Sequence, residues 1–325
     1  MQAVILAAGK STRTYPLTLT RPKPLLKAAN KTLLEHNLDS LNGLVDEAII
    51  VVGYKKDMIE NFIKNRHKGI KIKYVEQKSQ LGTAHALLIA EPCIRKRFIL
   101  MAGDDIYLRN DIKKCISQRH SILTSRVNNP QNFGVIIEKN GILTDFIEKP
   151  KKFISELIST SLYSFGREIF KCIKKIKKSE RNELELPDAV KLLSKSHNVR
   201  CIASKRWIPI GYPEDLLKAD NILRNNINSI GKNSKIFGSV LNSSIGDGCT
   251  IMGNVKNSIV MDCAFVGENS AVEDSIIGVN SHFSGKMSGA VIADNVLAEN
   301  VVVNPGCKIW PGKKILNKAI TKDIK

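Results

Sequence analysis

The sequence predicts an α/β chain of two parts: a doubly wound domain over residues 1–227, then a short left-handed parallel β-helix over residues 228–325. Two observations predict this. Up to about residue 225, short β-branched runs alternate with longer amphipathic stretches, as a parallel sheet covered by helices on both faces requires. From about Ile230 the helical periodicity stops, and Ile or Val recurs at roughly six-residue intervals between Gly, Asn, Asp and Ser, as in IGDGCTI from Ile245 and VGENSAV from Val266. A β-sandwich would instead need strict alternation along each strand. At 325 residues and 43% hydrophobic, the chain is long enough and apolar enough to bury a core in each part.

Taken in order, the apolar runs place strands over residues 3–6, 48–52, 70–75, 98–101 and 134–137. Apolar spacing at i, i+3 and i+4 places helices over 33–41, 56–65, 83–90 and 111–118. The basic run KCIKKIKK, residues 171–178, carries Ile173 and Ile176 at helical spacing and reads as one amphipathic helix. Residues 217–228 read as the helix and linker leading into the coils. In doubly wound folds ligands bind beyond the carboxyl ends of the strands, so the segments after Leu6, Val75 and Met101 are where chemistry is expected.

Composition narrows the function classes. The net charge of +19 reads as a lysine-rich solvated exterior, and the densest basic run has no aromatic residue on which a base could stack, so no nucleic-acid partner is expected. A basic cleft would still attract polyanionic substrates. No apolar run reaches 18 residues and no basic leader precedes Met1–Leu6, which gives the expectation of a cytoplasmic protein without a membrane partner. The seven cysteines stand singly, without a CxxC pair, and are expected to be reduced thiols rather than a disulfide framework or a zinc cluster.

Three segments carry chemistry. LAAGKSTRTYPLTLTRPKPLL leaves the first strand through Leu6, Ala7, Ala8 and Gly9, small residues that let the backbone approach a ligand, and then supplies two cations, Arg13 and Lys23. Two cations after such a turn suit a triphosphate, and the absence of GxGxxG spacing argues against a dinucleotide. In MAGDD, Asp104 follows an apolar strand directly, where a carboxylate can hold Mg²⁺ against phosphate. The third segment, QLGTAHAL, opens a helix after Gln77, whose amide can donate and accept at one base edge.

Together these segments resemble the nucleotide-sugar pyrophosphorylases, the sugar-1-phosphate nucleotidyltransferases with a Rossmann-like domain, and most of all the glucose-1-phosphate and N-acetylglucosamine-1-phosphate uridyltransferases. The resemblance runs to about residue 225. It implies a nucleoside triphosphate and a sugar 1-phosphate as substrates, with Arg13, Lys23 and Asp104 catalytic and Asp104 the Mg²⁺ ligand. Gln77 would read a uracil or thymine edge, and Gly82 and Thr83 would pack beside the base. In NFGVI and FIEKP, Gly134 would approach the sugar, Glu148 would bind a sugar hydroxyl, and Lys149 would hold the sugar phosphate.

Two positions depart from the family pattern. Ser159, in the run Ser159-Thr160-Ser161, stands where the family has an Asn that touches the sugar. Pro209, two residues after Trp207, stands where it has a second metal-binding aspartate, so the metal would rest on Asp104, phosphate and water, with Asp105 as a further candidate. These departures keep a rival open, a regulatory subunit with impaired catalysis. Long relatives carry acetyl transfer in the β-helix through a histidine; only His282 is available there, and the coils read instead as a cap or a surface for homo-oligomer assembly.

Overall fold

A computed structural model describes all residues, Met1–Lys325. The chain packs as two compact units. One comprises Met1–Gly9 and Leu34–Ile208; the other comprises Lys10–Leu33 and Pro209–Lys325.

The first unit is built on a ten-stranded sheet. Its parallel half has the order Ile70–Glu76, Glu47–Val52, Gln2–Ala7, Phe98–Ala102, all in register. The central strands are apolar on both faces, Glu47–Val52 being buried throughout, as a sheet covered on both sides demands, whereas Ile70–Glu76 alternates, with Ile70 and Ile72 buried and Lys71 exposed. The strand order reverses between Gln2–Ala7 and Phe98–Ala102, and this switch point opens a crevice at their carboxyl ends.

Beyond Phe98–Ala102 the sheet is mixed, which departs from the parallel sheet expected. Leu157–Phe165 runs antiparallel to both Phe98–Ala102 and Ser121–Arg126, and Gly134–Lys139 forms a hairpin with Ile142–Glu148. The hairpin turns at Asn140-Gly141, both at positive φ, the turn chemistry that a tight hairpin favours.

Helices α1 (Leu33–Leu41), α2 (Lys56–Ile63), α3 (Thr83–Ile89) and α4 (Arg109–Ile116) lie within two residues of where periodicity puts them. The basic run does not form one helix. Helix α5 spans Glu168–Ile173, buries Ile169, Phe170 and Ile173, and ends where the lysines begin to crowd. Helix α6 (Leu186–Ser194) follows, with Pro187 in its first turn, where the missing N–H costs nothing.

In the second unit, α7 spans Pro213–Arg224 rather than 217–228. Pro213 opens it, and Asp215 accepts the N–H groups of Gly211 and Tyr212, both at 3.0 Å. The β-helix follows, with parallel rungs stacked on three sides. One side stacks Ile230, Ile245, Val260, Ile277, Ile292 and Ile309; another stacks Val240, Val255, Val272, Met287, Val303 and Ile320. The inward step is not a constant six. From Ile245 to Ile251 to Val255 to Val260 it is six, four and five residues, because the corners differ in length. The corners are made by Asn at positive φ, including Asn242, Asn257, Asn280 and Asn295. Their amides ladder from rung to rung, Asn242 to Asn257 at 2.8 Å and Asn280 to Asn295 at 2.9 Å.

Candidate active site

At the end of the first strand the backbone is laced to its neighbours. The Leu6 carbonyl accepts from Gly103 N–H at 2.9 Å, and the Ala8 carbonyl accepts from Tyr54 N–H at 3.0 Å and the Gln80 amide at 2.9 Å. Glycine is required beside this turn: a Cβ on Gly53 would lie 2.8 Å from the Ala8 oxygen, and one on Gly103 2.9 Å from the Leu6 oxygen. Leu6, Ala7, Ala8 and Gly9 thus leave the first strand at the switch point with the Leu6 and Ala8 carbonyls bonded to neighbouring segments, and Asp104 follows Gly103 directly in the chain. Asp105 is already engaged, its carboxylate receiving the Trp207 indole N–H at 3.0 Å.

Gln77 is buried at the end of its strand, its N–H bonded to the Val52 carbonyl at 2.8 Å. Its Nε2 donates to the Gly82 carbonyl at 3.2 Å and lies 3.1 Å from His85 Nδ1. The donor end of the amide is thus committed inside the protein, unlike the donating and accepting amide expected. Gly82 sits at φ 101°, where a Cβ would be 2.5 Å from the Leu184 oxygen. Thr83 Oγ1 accepts the Leu186 N–H at 3.1 Å. Residues 184–186 so pin the start of α3.

Gly134 pairs with Glu148 across the hairpin, and a Cβ there would meet the Phe146 ring at 2.5 Å and Glu148 Oε2 at 2.9 Å. The Glu148 carboxyl is pushed above its ordinary value by burial, against the pull of Lys149 and Arg181. Lys149 Nζ is 3.7 Å away and half exposed, and its backbone takes φ 44° with its N–H on the Phe133 carbonyl. Arg181, which sequence reasoning passed over, bridges Glu148 at 3.3 Å and Glu185 at 2.8 Å. Ser159 is buried; its Oγ is 2.8 Å from the Tyr163 hydroxyl and accepts the Ser161 N–H at 3.1 Å.

In the second unit, Arg13 is exposed, with its guanidinium 5.6 Å from the centre of the Tyr212 ring, a cation–π arrangement. Lys23 is buried at the start of a short 3₁₀ turn, Lys23–Leu25. The segment that carries both is tied to the coils. Asp294 accepts from Arg21 and from the Thr20 hydroxyl, Asp262 pairs with Lys27 Nζ at 2.6 Å, and Asn30 donates to the Ile245 carbonyl at 2.7 Å.

His120, Glu168 and His197 bring ligand atoms within 4.8 Å of one another. Imidazoles do not suit a hard cation such as Mg²⁺, Arg119 holds the Glu168 carboxylate, and Gly166 N–H reaches His120 Nδ1 at 3.5 Å, so this cluster is a poor match for one. All seven cysteines are free thiols.

The Nucleotidyl transferase family profile matches residues 2–226, and the GlmU-like C-terminal hexapeptide profile matches residues 228–315. The chain belongs to the nucleotidyl transferase family. Its relatives are sugar-1-phosphate nucleotidyltransferases, and this chain is an enzyme of that class. It is 34% identical to the bifunctional protein GlmU of Methanococcus maripaludis, over the whole of this chain and 84% of that protein. It is 37% identical to the UTP–glucose-1-phosphate uridylyltransferase AglF of Haloferax volcanii, over 69% of this chain and 97% of that one. Among solved structures, a protein described as a glucose-1-phosphate thymidylyltransferase from Bacillus anthracis superposes with a TM-score of 0.63 at 26% identity, covering 69% of this nucleotidyltransferase and 96% of its own chain. A UDP-glucose pyrophosphorylase solved with UDP-glucose shares the fold, with a TM-score of 0.62 at 22% identity and coverage of 70% and 99%. No helix is long and apolar enough to cross a membrane.

Proposed function

We propose that this enzyme transfers the nucleotidyl group of UTP or dTTP to a sugar 1-phosphate, giving a nucleoside-diphosphate sugar and pyrophosphate. An oxygen of the sugar phosphate attacks the α-phosphorus, the bond from that phosphorus to the bridging oxygen breaks, and pyrophosphate leaves with the electron pair; no covalent protein intermediate forms. Catalysis then rests on positioning and charge neutralisation. The observation that carries the reading is the turn at the switch point, with Asp104 immediately beyond Gly103. The turn from Leu6 to Gly9 cradles phosphate, Arg13 and Lys23 take up negative charge, and Gln77, Gly82 and Thr83 hold the base. Gly134, Glu148 and Lys149 receive the sugar phosphate. Ser159, whose Oγ accepts the Ser161 N–H and lies 2.8 Å from the Tyr163 hydroxyl, completes the sugar side of the site in this reading.

Asp104 would hold Mg²⁺. A carboxylate beside a phosphate site is the donor set that this cation favours, and when bound it neutralises charge on the triphosphate. Asp104→Ala should lower turnover at least about a hundredfold while leaving the folded state intact; near-wild-type turnover would refute the assignment. Residues 1–227 perform transfer in this reading. Residues 228–325 support a homo-oligomer, a role favoured by the exposure of Phe237 at 69% and Leu241 at 60%. In this reading the enzyme works in the cytoplasm.

A second reading, acetyl transfer by the coils, is favoured by His282. Its ring stacks on Phe265 at 4.3 Å, and Nε2 lies 3.8 Å from Glu299 Oε1, a partner that could orient a general base. Release of free thiol from acetyl-coenzyme A in the presence of an amino sugar phosphate, lost in His282→Ala, tests it.

A further inference from the structure

The amide of Gln77 has two N–H donors on Nε2 and an acceptor oxygen, Oε1. Both donors are used within the protein, one on the Gly82 carbonyl at 3.2 Å and one on His85 Nδ1 at 3.1 Å. A carbonyl can only accept, so Gly82 decides which end of the amide faces it. His85 Nδ1 must then accept as well, which puts the imidazole proton on Nε2. Burial first, and the charge of Lys178 second, hold His85 below the ordinary imidazole value, in keeping with the neutral ring this requires. Neither partner is loose. Gly82 is wedged against Leu184, its carbonyl also receives the Ala86 N–H at 3.1 Å, and His85 lies in the first turn of α3.

We infer that His85 is a positioning residue that locks the Gln77 amide so that a nucleotide base meets only its Oε1 acceptor. This inference rests on the proposed role of Gln77 at the base. A free amide could turn over to suit either kind of base edge. A locked acceptor accepts from a ring N–H, as on uracil and thymine N3 or guanine N1, and sets its lone pair against the bare ring nitrogen of cytosine N3 or adenine N1. The Gln77–His85 pair therefore selects oxo bases with a ring N–H over amino bases, and the exclusion of guanine falls to pocket size.

The test is the ratio of kcat/KM for UTP to that for CTP, with one sugar 1-phosphate, in the wild type and in His85→Leu, His85→Asn and Gln77→Ala. Leu removes the acceptor at similar bulk; Asn restores it, since its Oδ1 can take the place of Nδ1. The wild type should prefer UTP, and His85→Leu should lower the ratio about tenfold, more through KM than through kcat, while His85→Asn keeps most of it. An unchanged ratio in His85→Leu, an equal loss in His85→Asn, or no wild-type preference overturns the lock. If Gln77→Ala lowers the ratio and His85→Leu does not, the lock alone fails; if neither lowers it, the reading of Gln77 fails too.

Discussion

Replacing Asp294 by alanine should destabilise the second unit more than any other single carboxylate truncation on its coils. Asp294 is 5% exposed and makes three bonds: Oδ2 accepts from Arg21 and from the Thr20 hydroxyl at 2.5 Å, and Oδ1 accepts the Val279 N–H of the preceding rung at 2.8 Å. The Arg21 side chain is only 15% exposed, and its Nε already lacks a partner. Asp294→Ala would leave that guanidinium buried without a counter-charge, at a cost of about 3–5 kcal/mol. Asp262 provides the comparison. It accepts Asp247 N–H at 2.9 Å and pairs with Lys27, but the two side chains are 26% and 22% exposed, so Asp262→Ala should cost about 1–2 kcal/mol. Urea denaturation followed by tryptophan fluorescence and circular dichroism gives both values, with Trp310 reporting from the coils. The segment Lys10–Leu33 should also become more sensitive to trypsin in Asp294→Ala. A loss at Asp294 no larger than the loss at Asp262 would refute the claim that a buried ion pair anchors this segment.

Gly82→Ala forces a Cβ to 2.5 Å from the Leu184 oxygen at φ 101°, and should raise KM for the nucleotide along with a stability loss of about 1–3 kcal/mol; an unchanged KM would contradict the pinned start of α3. Glu148 has its pKa raised chiefly by burial, so the fold favours its protonated form and any stability from that form is lost as pH rises through the raised value. Binding runs the other way, because the ionised carboxylate is the better acceptor for a sugar hydroxyl. KM for the sugar phosphate should therefore fall as pH rises through a value above the ordinary 4.5, and this dependence should vanish in Glu148→Gln. Gly134→Ala should displace the same carboxylate, since the new Cβ would lie 2.9 Å from Oε2, and raise KM for the sugar phosphate with little change in KM for the nucleotide.

The parallel half of the sheet was legible because its central strands are continuous apolar runs, Ile70–Glu76 alternates apolar with polar residues, and its helices carry a clean 3.6-residue period. Leu157–Phe165 was not placed as a strand because Ser159, Thr160 and Ser164 interrupt its apolar pattern. Tertiary partners satisfy them, Thr160 on the Leu123 carbonyl and Ser164 on the Gln118 carbonyl, and the register shifts between Ser159 and Tyr163. The lysines of residues 171–178 mimic a helical face, yet only the first three residues belong to α5. The start of α7 was marked by Pro213 and Asp215, a signal open to a capping argument.

Site residues in contiguous motifs could be named from sequence, but their hydrogen-bond directions could not. His85 stands inside the motif that marked Gln77, and only the folded turn shows that it accepts the Gln77 donor. Arg181 lies in a polar stretch with no motif, and tertiary packing alone brings it to Glu148.

Pyrophosphate release by the purified chain with Mg²⁺ measures nucleotidyl transfer to a sugar 1-phosphate without intermediary assumptions. UTP, dTTP, GTP, ATP and CTP would each be offered with glucose-, N-acetylglucosamine- and mannose-1-phosphate. Release should require both substrates and be strongest with UTP or dTTP. A blank across the grid, with nucleotide still bound, would contradict nucleotidyl transfer and point to a regulatory subunit.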